Sequence, residues 1–266
     1  MEALFLALMF VLGACFGSFL CCEARRLHLR VNKKAKSLGS RSICLSCKTQ
    51  LKWFDNIPII SWLILKGKCR KCGQKIGLLE IFSELGLALA FLALGFTINL
   101  SSATPLVWAI FLTTLFLVLV LAFLAIYDGA YGELPTRCLI LAIIIALIIA
   151  VLKGAQILLE TPFSLELILE PLLSVAILGG LYLLLYLVSK GKWVGDGDWL
   201  LGTAIGLALS SAWLALITLF LANVLASLVM LPIIRKSKTK KIYFGPFMVI
   251  AFIITLTFSN FFIHVL

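Results

Sequence analysis

Residues 105–127 read PLVWAIFLTTLFLVLVLAFLAIY, and Asp128 follows at once. Twenty-three uncharged, mostly apolar positions suffice for an α-helix to cross the ~30 Å hydrocarbon core of a bilayer. The aspartate therefore stands at the edge of a membrane span. Working outward, the chain offers further stretches of this kind at 3–22, 78–98, 134–152, 167–188, 199–211, 212–234 and 242–266. The spacing predicts an all-α polytopic membrane protein of about eight transmembrane helices, the sixth of them short and joined to the seventh through Ser210 and Ser211. Composition agrees. The 266 residues are 62% hydrophobic and 13% charged, whereas a soluble domain is about half apolar and about a quarter charged.

The net charge of +11 is concentrated, because residues 23–78 hold 14 of the 23 bases and only 2 of the 12 acids. A basic block between two apolar runs reads as membrane orientation, and no nucleic-acid partner is expected. With the 23–77 loop in the cytosol and strict alternation afterwards, 22 of the 23 bases fall on the cytosolic side. Lys153 alone falls outside, beside Glu160, Glu166 and Glu170. The N-terminus is then external. Leu12-Gly13-Ala14-Cys15 looks like the end of a cleaved lipoprotein signal, yet Glu2 precedes the apolar run while Arg25 and Arg26 follow it. That is the reverse of a signal peptide, so the first stretch is expected to remain as a helix. The expected organisation is a transmembrane helix at 1–22, a cytosolic basic loop at 23–77 and a seven-helix membrane domain at 78–266.

Within the loop stand Cys44-x2-Cys47 and Cys69-x2-Cys72. Two such pairs bring four thiolates to one tetrahedral zinc, and Gly73 suits the turn of the second knuckle. Four thiolates leave no open position, so the metal would be a structural staple. The alternatives are four reduced thiols without metal, or a redox pair. A secreted disulfide framework does not fit a basic cytosolic loop. Cys15, Cys21, Cys22 and Cys138 sit in apolar spans and read as small hydrophobes. Between the pairs, Trp53, Phe54 and Trp62 read as a small apolar core or an interfacial anchor, with Asp55 and Asn56 forming a turn.

An acid at the end of an apolar span is costly and faces a polar cavity or a partner. Asp128 opens a Gly- and Pro-containing turn, and Asp198 closes Gly195-Asp196-Gly197-Asp198 just before the sixth span. On the expected topology both lie at the cytosolic face. Two neighbouring carboxyls cannot both ionise freely. One keeps a proton, and the pair can act as acid and base on one water, as peptide hydrolysis requires. Each aspartate alone also reads as a helix cap or a solvated boundary residue. Asp196 competes with Asp198, and Glu80, Glu84 and Glu133 carry no assigned role.

In combination these motifs resemble the type IV prepilin leader peptidases, membrane aspartic proteases of the GxGD class. The likeness rests on Gly17-Ser18-Phe19-Leu20 ahead of Arg26-Leu27, on the paired knuckles around Trp53-Phe54-Asp55-Asn56-Ile57-Pro58, and on Asp128 seven residues before Pro135. It rests also on Gly195-x-Gly197-Asp198 and on Phe244-Gly245-Pro246-Phe247. Cys21, Leu200 and Thr136 depart from the family pattern, which commonly has Asn, Lys and Asp or Asn there. The resemblance implies a multi-pass protein of the bacterial inner membrane that cleaves the basic leader from prepilins or pseudopilins, with Asp128 and Asp198 as the catalytic pair. It implies structural zinc on Cys44, Cys47, Cys69 and Cys72. In many members it also implies methylation of the new N-terminus from S-adenosylmethionine. Two other readings compete: a proton-coupled carrier, and a non-catalytic zinc-loop scaffold of pilus or secretion machinery.

Overall fold

A computed structural model describes residues 2–31, 42–44, 46–236 and 243–264. The basic stretches 32–41 and 237–242, which entered the charge count, lie outside the described residues. Among those described, all regular structure is helical apart from two isolated bridges, Ile43 to Gln50 and Lys68 to Lys75. Among the described residues, six helices are long and apolar enough to cross a membrane, and two shorter apolar ones accompany them. The eight follow the order of the eight expected spans, and the protein is a multi-pass membrane protein. It divides into two units, Met1–Phe96 and Thr97–Leu266.

The first unit pairs α1 (Glu2–Val31) with α3 (Leu78–Gly95), and the short α2 (Ile60–Ile64) lies in the loop between them. Hydrocarbon tails are as apolar as leucine, so membrane helices associate through close packing rather than through water exclusion, and small residues permit it. Gly13 and Gly17, one turn apart, supply that closeness. A Cβ on either would come within 2.4 Å of a backbone oxygen of α3, Leu87 O and Ser83 O respectively. Charged groups pin the loop side of this pair. Arg25 pairs with Glu80, and the buried Glu84 accepts the Ile59 amide at 2.7 Å. Ile59 has φ +63, a strained conformation for a β-branched residue.

The second unit contains α4 (Pro105–Tyr131), α5 (Thr136–Glu160), α6 (Glu166–Val175), a π turn (Ala176–Gly180), α7 (Leu181–Ser189), α8 (Asp198–Leu209), α9 (Ala212–Lys236), α10 (Gly245–Thr257) and α11 (Ser259–His264). α6, the π turn and α7 form one continuous span. α8 has 12 residues and so a length of about 18 Å. It packs against α5, α6, the π turn and α10, and Leu201, Ala204, Ile205, Ala208 and Leu209 are buried along it. A second glycine seam brings it close to its neighbour: a Cβ at Gly202 or Gly206 would lie 2.8 Å from Leu178 O or Ser174 O, and one at Gly179 would strike Thr203.

Candidate active site

Asp128 lies in the last turn of α4, which continues through Tyr131 and closes on Gly132 in the left-handed region (φ 69). Asp198 is the first residue of α8. Both are buried, at 6% and 9% exposure, while Asp196 and Glu133 are exposed. Burial thus separates Asp198 from its competitor in the same loop. Its carboxylate does not cap α8 but turns back, accepting the Gly195 amide at 2.9 Å.

Three segments remote in sequence meet around these acids. Asp128 Oδ2 accepts the Gly245 amide at the start of α10 at 3.0 Å, and the Pro246 ring lies beside Gly129. Gly197 packs directly on Leu134, so that a Cβ there would stand 2.7 Å from the Leu134 Cβ. The turn after Asp128 is thereby pressed against the glycine loop before Asp198. Asp128 and Asp198 are thus carried by two segments in contact. The two are not equivalent, because Asp198 sits at the positive N-terminal end of its helix dipole and Asp128 near the negative C-terminal end of its own.

Aromatic rings complete this region. Phe244 packs on the buried Tyr182 of α7 with centroids 5.4 Å apart, and Tyr243 lies where a Cβ on Gly132 would be. Sequence reasoning missed Tyr182, since one tyrosine in an apolar span carries no distinguishing pattern. It noted Phe244-Gly245-Pro246-Phe247 only as a resemblance, whereas here Gly245 touches Asp128.

In the first unit the four loop cysteines converge, with their sulfur atoms all within 4.8 Å of one another. Cys44 and Cys72 Sγ are 3.8 Å apart, far beyond a disulfide bond. That distance matches the edge of a tetrahedron with ~2.3 Å metal–sulfur bonds. The four cysteines are positioned to hold a metal ion. The knuckles repeat one pattern: Cys44 N donates to Thr49 O at 2.9 Å and Lys48 N to Cys44 O at 2.8 Å, while Cys69 N donates to Gln74 O at 2.8 Å and Gly73 N to Cys69 O at 2.9 Å. Lys48 and Gly73 both adopt positive φ. Thr49, through its hydroxyl and its amide, holds the Cys47 thiol down at about 6, while desolvation and the neighbouring thiols push Cys72 up to about 11.

Asp55 does lie in a single 3-10 turn, Trp53–Asn56, and it binds Arg70 of the second knuckle, whose Nε donates at 2.9 Å. Arg70 also lies 5.1 Å above the Phe54 ring. Trp62 packs on Gly67, but Trp53 is 78% exposed and adds nothing to a core.

Residues 11–98 match the bacterial peptidase A24 N-terminal domain. Over 211 residues the chain is 31% identical to the prepilin leader peptidase/N-methyltransferase of Dichelobacter nodosus, a match covering 79% of this chain and 68% of that protein. The chain belongs to the prepilin leader peptidase/N-methyltransferase family. It is also similar to the family's proteins from Legionella pneumophila, 28% identical over 254 residues with 90% and 80% coverage, and from Myxococcus xanthus, 39% identical over 108 residues. The matched stretch spans 31% of the Myxococcus protein and 35% of that from Vibrio cholerae. No solved structure matches. Within this prepilin leader peptidase/N-methyltransferase family member, the A24 N-terminal match takes in all four knuckle cysteines and ends before α4. The two buried aspartates lie beyond it.

Proposed function

We propose that this protein is an intramembrane aspartic endopeptidase that removes the basic leader from type IV prepilins or pseudopilins, with Asp128 and Asp198 as its catalytic pair. The observation that carries this reading is the meeting of Asp128, the glycine loop of Asp198 and the Gly245 amide around one buried spot in the second unit. With one carboxyl ionised and its partner protonated, the first takes a proton from water. The second donates a hydrogen bond to the scissile carbonyl oxygen as the water oxygen bonds to its carbon. Collapse of the tetrahedral species returns a proton to the departing amine. Apparent pKa values belong to the pair. The positive-inside pattern supports a cytosolic loop and an external N-terminus in a bacterial inner membrane, which would keep a cationic leader on the side of the two acids.

Zinc is the metal proposed for Cys44, Cys47, Cys69 and Cys72: an all-thiolate, four-coordinate site suits it and gives it a structural role. S-adenosylmethionine is the donor implied by the relatives' second activity. A cavity of about 790 Å³ opens beside the knuckles, but its two acids, Asp55 and Glu80, are already engaged by Arg70 and Arg25. N-methylation therefore rests on the relatives' name, and no residue here is assigned to it. The deciding experiment incubates the purified protein with a prepilin in detergent or nanodiscs. The intact protein should yield the shortened product, and Asp128→Asn and Asp198→Asn should each lower the rate by about a thousandfold while remaining folded. Wild-type cleavage in either variant refutes the assignment.

A further inference from the structure

α8 spans about 18 Å, less than the ~30 Å hydrocarbon core. A helix that begins at Asp198 near one face therefore ends within the membrane, where the carbonyls of its last turn have no continuing helix and no water to satisfy them. Every one of them is met. Gly206 O accepts the Ser210 amide at 3.0 Å and the Ser174 hydroxyl at 2.7 Å, and Leu207 O the Ser210 hydroxyl at 2.6 Å. Ala208 O and Leu209 O both accept Lys153 Nζ, at 2.7 and 3.3 Å. At the next residue but one after Ser210, the first amide of α9, Ala212 N, donates to Glu170 Oε2 at 2.7 Å. Charge counting placed Lys153 in an outer loop, with Glu170 in or beside it. Lys153 instead lies inside α5, and Glu170 lies inside α6; both are half-buried.

We propose that Lys153 and Glu170 are positioning residues, a polar clamp that fixes the depth of the α8–α9 corner and, through the stiff and buried α8, the height of Asp198 relative to Asp128. Without the clamp the orphaned backbone must find other partners. The last turn of α8 frays, or the helix slides toward water and carries Asp198 with it. The effect on cleavage rests on the peptidase reading above, whereas the clamp itself does not.

The test uses the full-length protein in nanodiscs and reads two quantities. The first is hydrogen–deuterium exchange of the segment 198–211, which is independent of any substrate. The second is kcat and KM on a prepilin. Lys153→Met and Glu170→Ala should accelerate exchange in that segment and lower kcat by about a hundredfold with KM nearly unchanged. Lys153→Arg and Glu170→Gln, which keep a donor and an acceptor, should restore both. Ser174→Ala, which removes a single donor, should give a smaller change of the same kind if the stronger variants do not fold. Wild-type exchange in Lys153→Met overturns the clamp. Accelerated exchange with undiminished kcat overturns its role in positioning Asp198. If the wild-type protein cleaves no prepilin, the peptidase reading fails and exchange alone decides the clamp.

Discussion

Gly245 has no side chain, and its amide reaches Asp128 because of it. A Cβ at this position would stand 2.8 Å from Asp128 Oδ2 and 3.4 Å from its Cβ and Cγ. Gly245→Ala should therefore push the carboxyl aside and lower prepilin cleavage by about tenfold to a hundredfold with little loss of thermal stability. Gly129→Ala, one residue after the same aspartate, meets only the Pro246 ring at an ordinary 3.7 Å. In a helix alanine is favoured over glycine, so that variant should keep its cleavage rate. Paired kinetics and melting curves check both, and equal rates in the two would contradict this account of Gly245. That the two aspartates stand at the ends of apolar helices was legible in the sequence, because an acid at the border of an apolar run is conspicuous. Lys153 was not, because the apolar run appeared to stop at it and a base in that place counts as a loop charge. Its true partners are backbone carbonyls 55 and 56 residues away, which no pattern of side chains reveals.

At the scale of elements, two glycine seams do the same work, Gly13 and Gly17 between α1 and α3, and Gly202 and Gly206 between α8 and its neighbouring span. The obstacle to any larger residue is backbone in each case and cannot rotate away. Gly17→Ala should force α1 from α3 at a cost of about 1–3 kcal/mol and lower the detergent melting temperature. Gly86→Ala on α3, where a Cβ meets nothing within 4 Å, should leave it unchanged or raise it. A melting temperature for Gly17→Ala equal to that of the parent would contradict the close approach. Hydropathy made the helices legible because length and apolarity are local properties. It could not show that α1 runs on to Val31, since helix continues past the apolar stretch there. Nor could it show the π turn at Ala176–Gly180, whose residues are as apolar as those around them.

For the whole molecule, the orientation proposal gains from the placement of Lys153. The one base that charge counting left outside is occupied with the end of α8 and does not oppose the positive-inside pattern. Alkaline phosphatase inserted in the short connection 161–165 should be active, and a fluorescent protein inserted at 190–193 should fluoresce. The opposite pair of outcomes would invert the topology and move both aspartates to the outer face. The convergence of the four knuckle cysteines was readable from their spacing alone. The fastening of Trp53–Asn56 to the second knuckle through Arg70 was not, because Arg70 sits among many bases and only its position over Phe54 and beside Asp55 distinguishes it.

α8 meets helices along its buried faces, and its far end is tied to α5 and α6 rather than to headgroups. With the proposed clamp in place, a change in acyl-chain length with temperature should leave the end of α8 where α5 and α6 hold it, and the level of Asp198 would be set by the polypeptide more than by the thickness of the lipid.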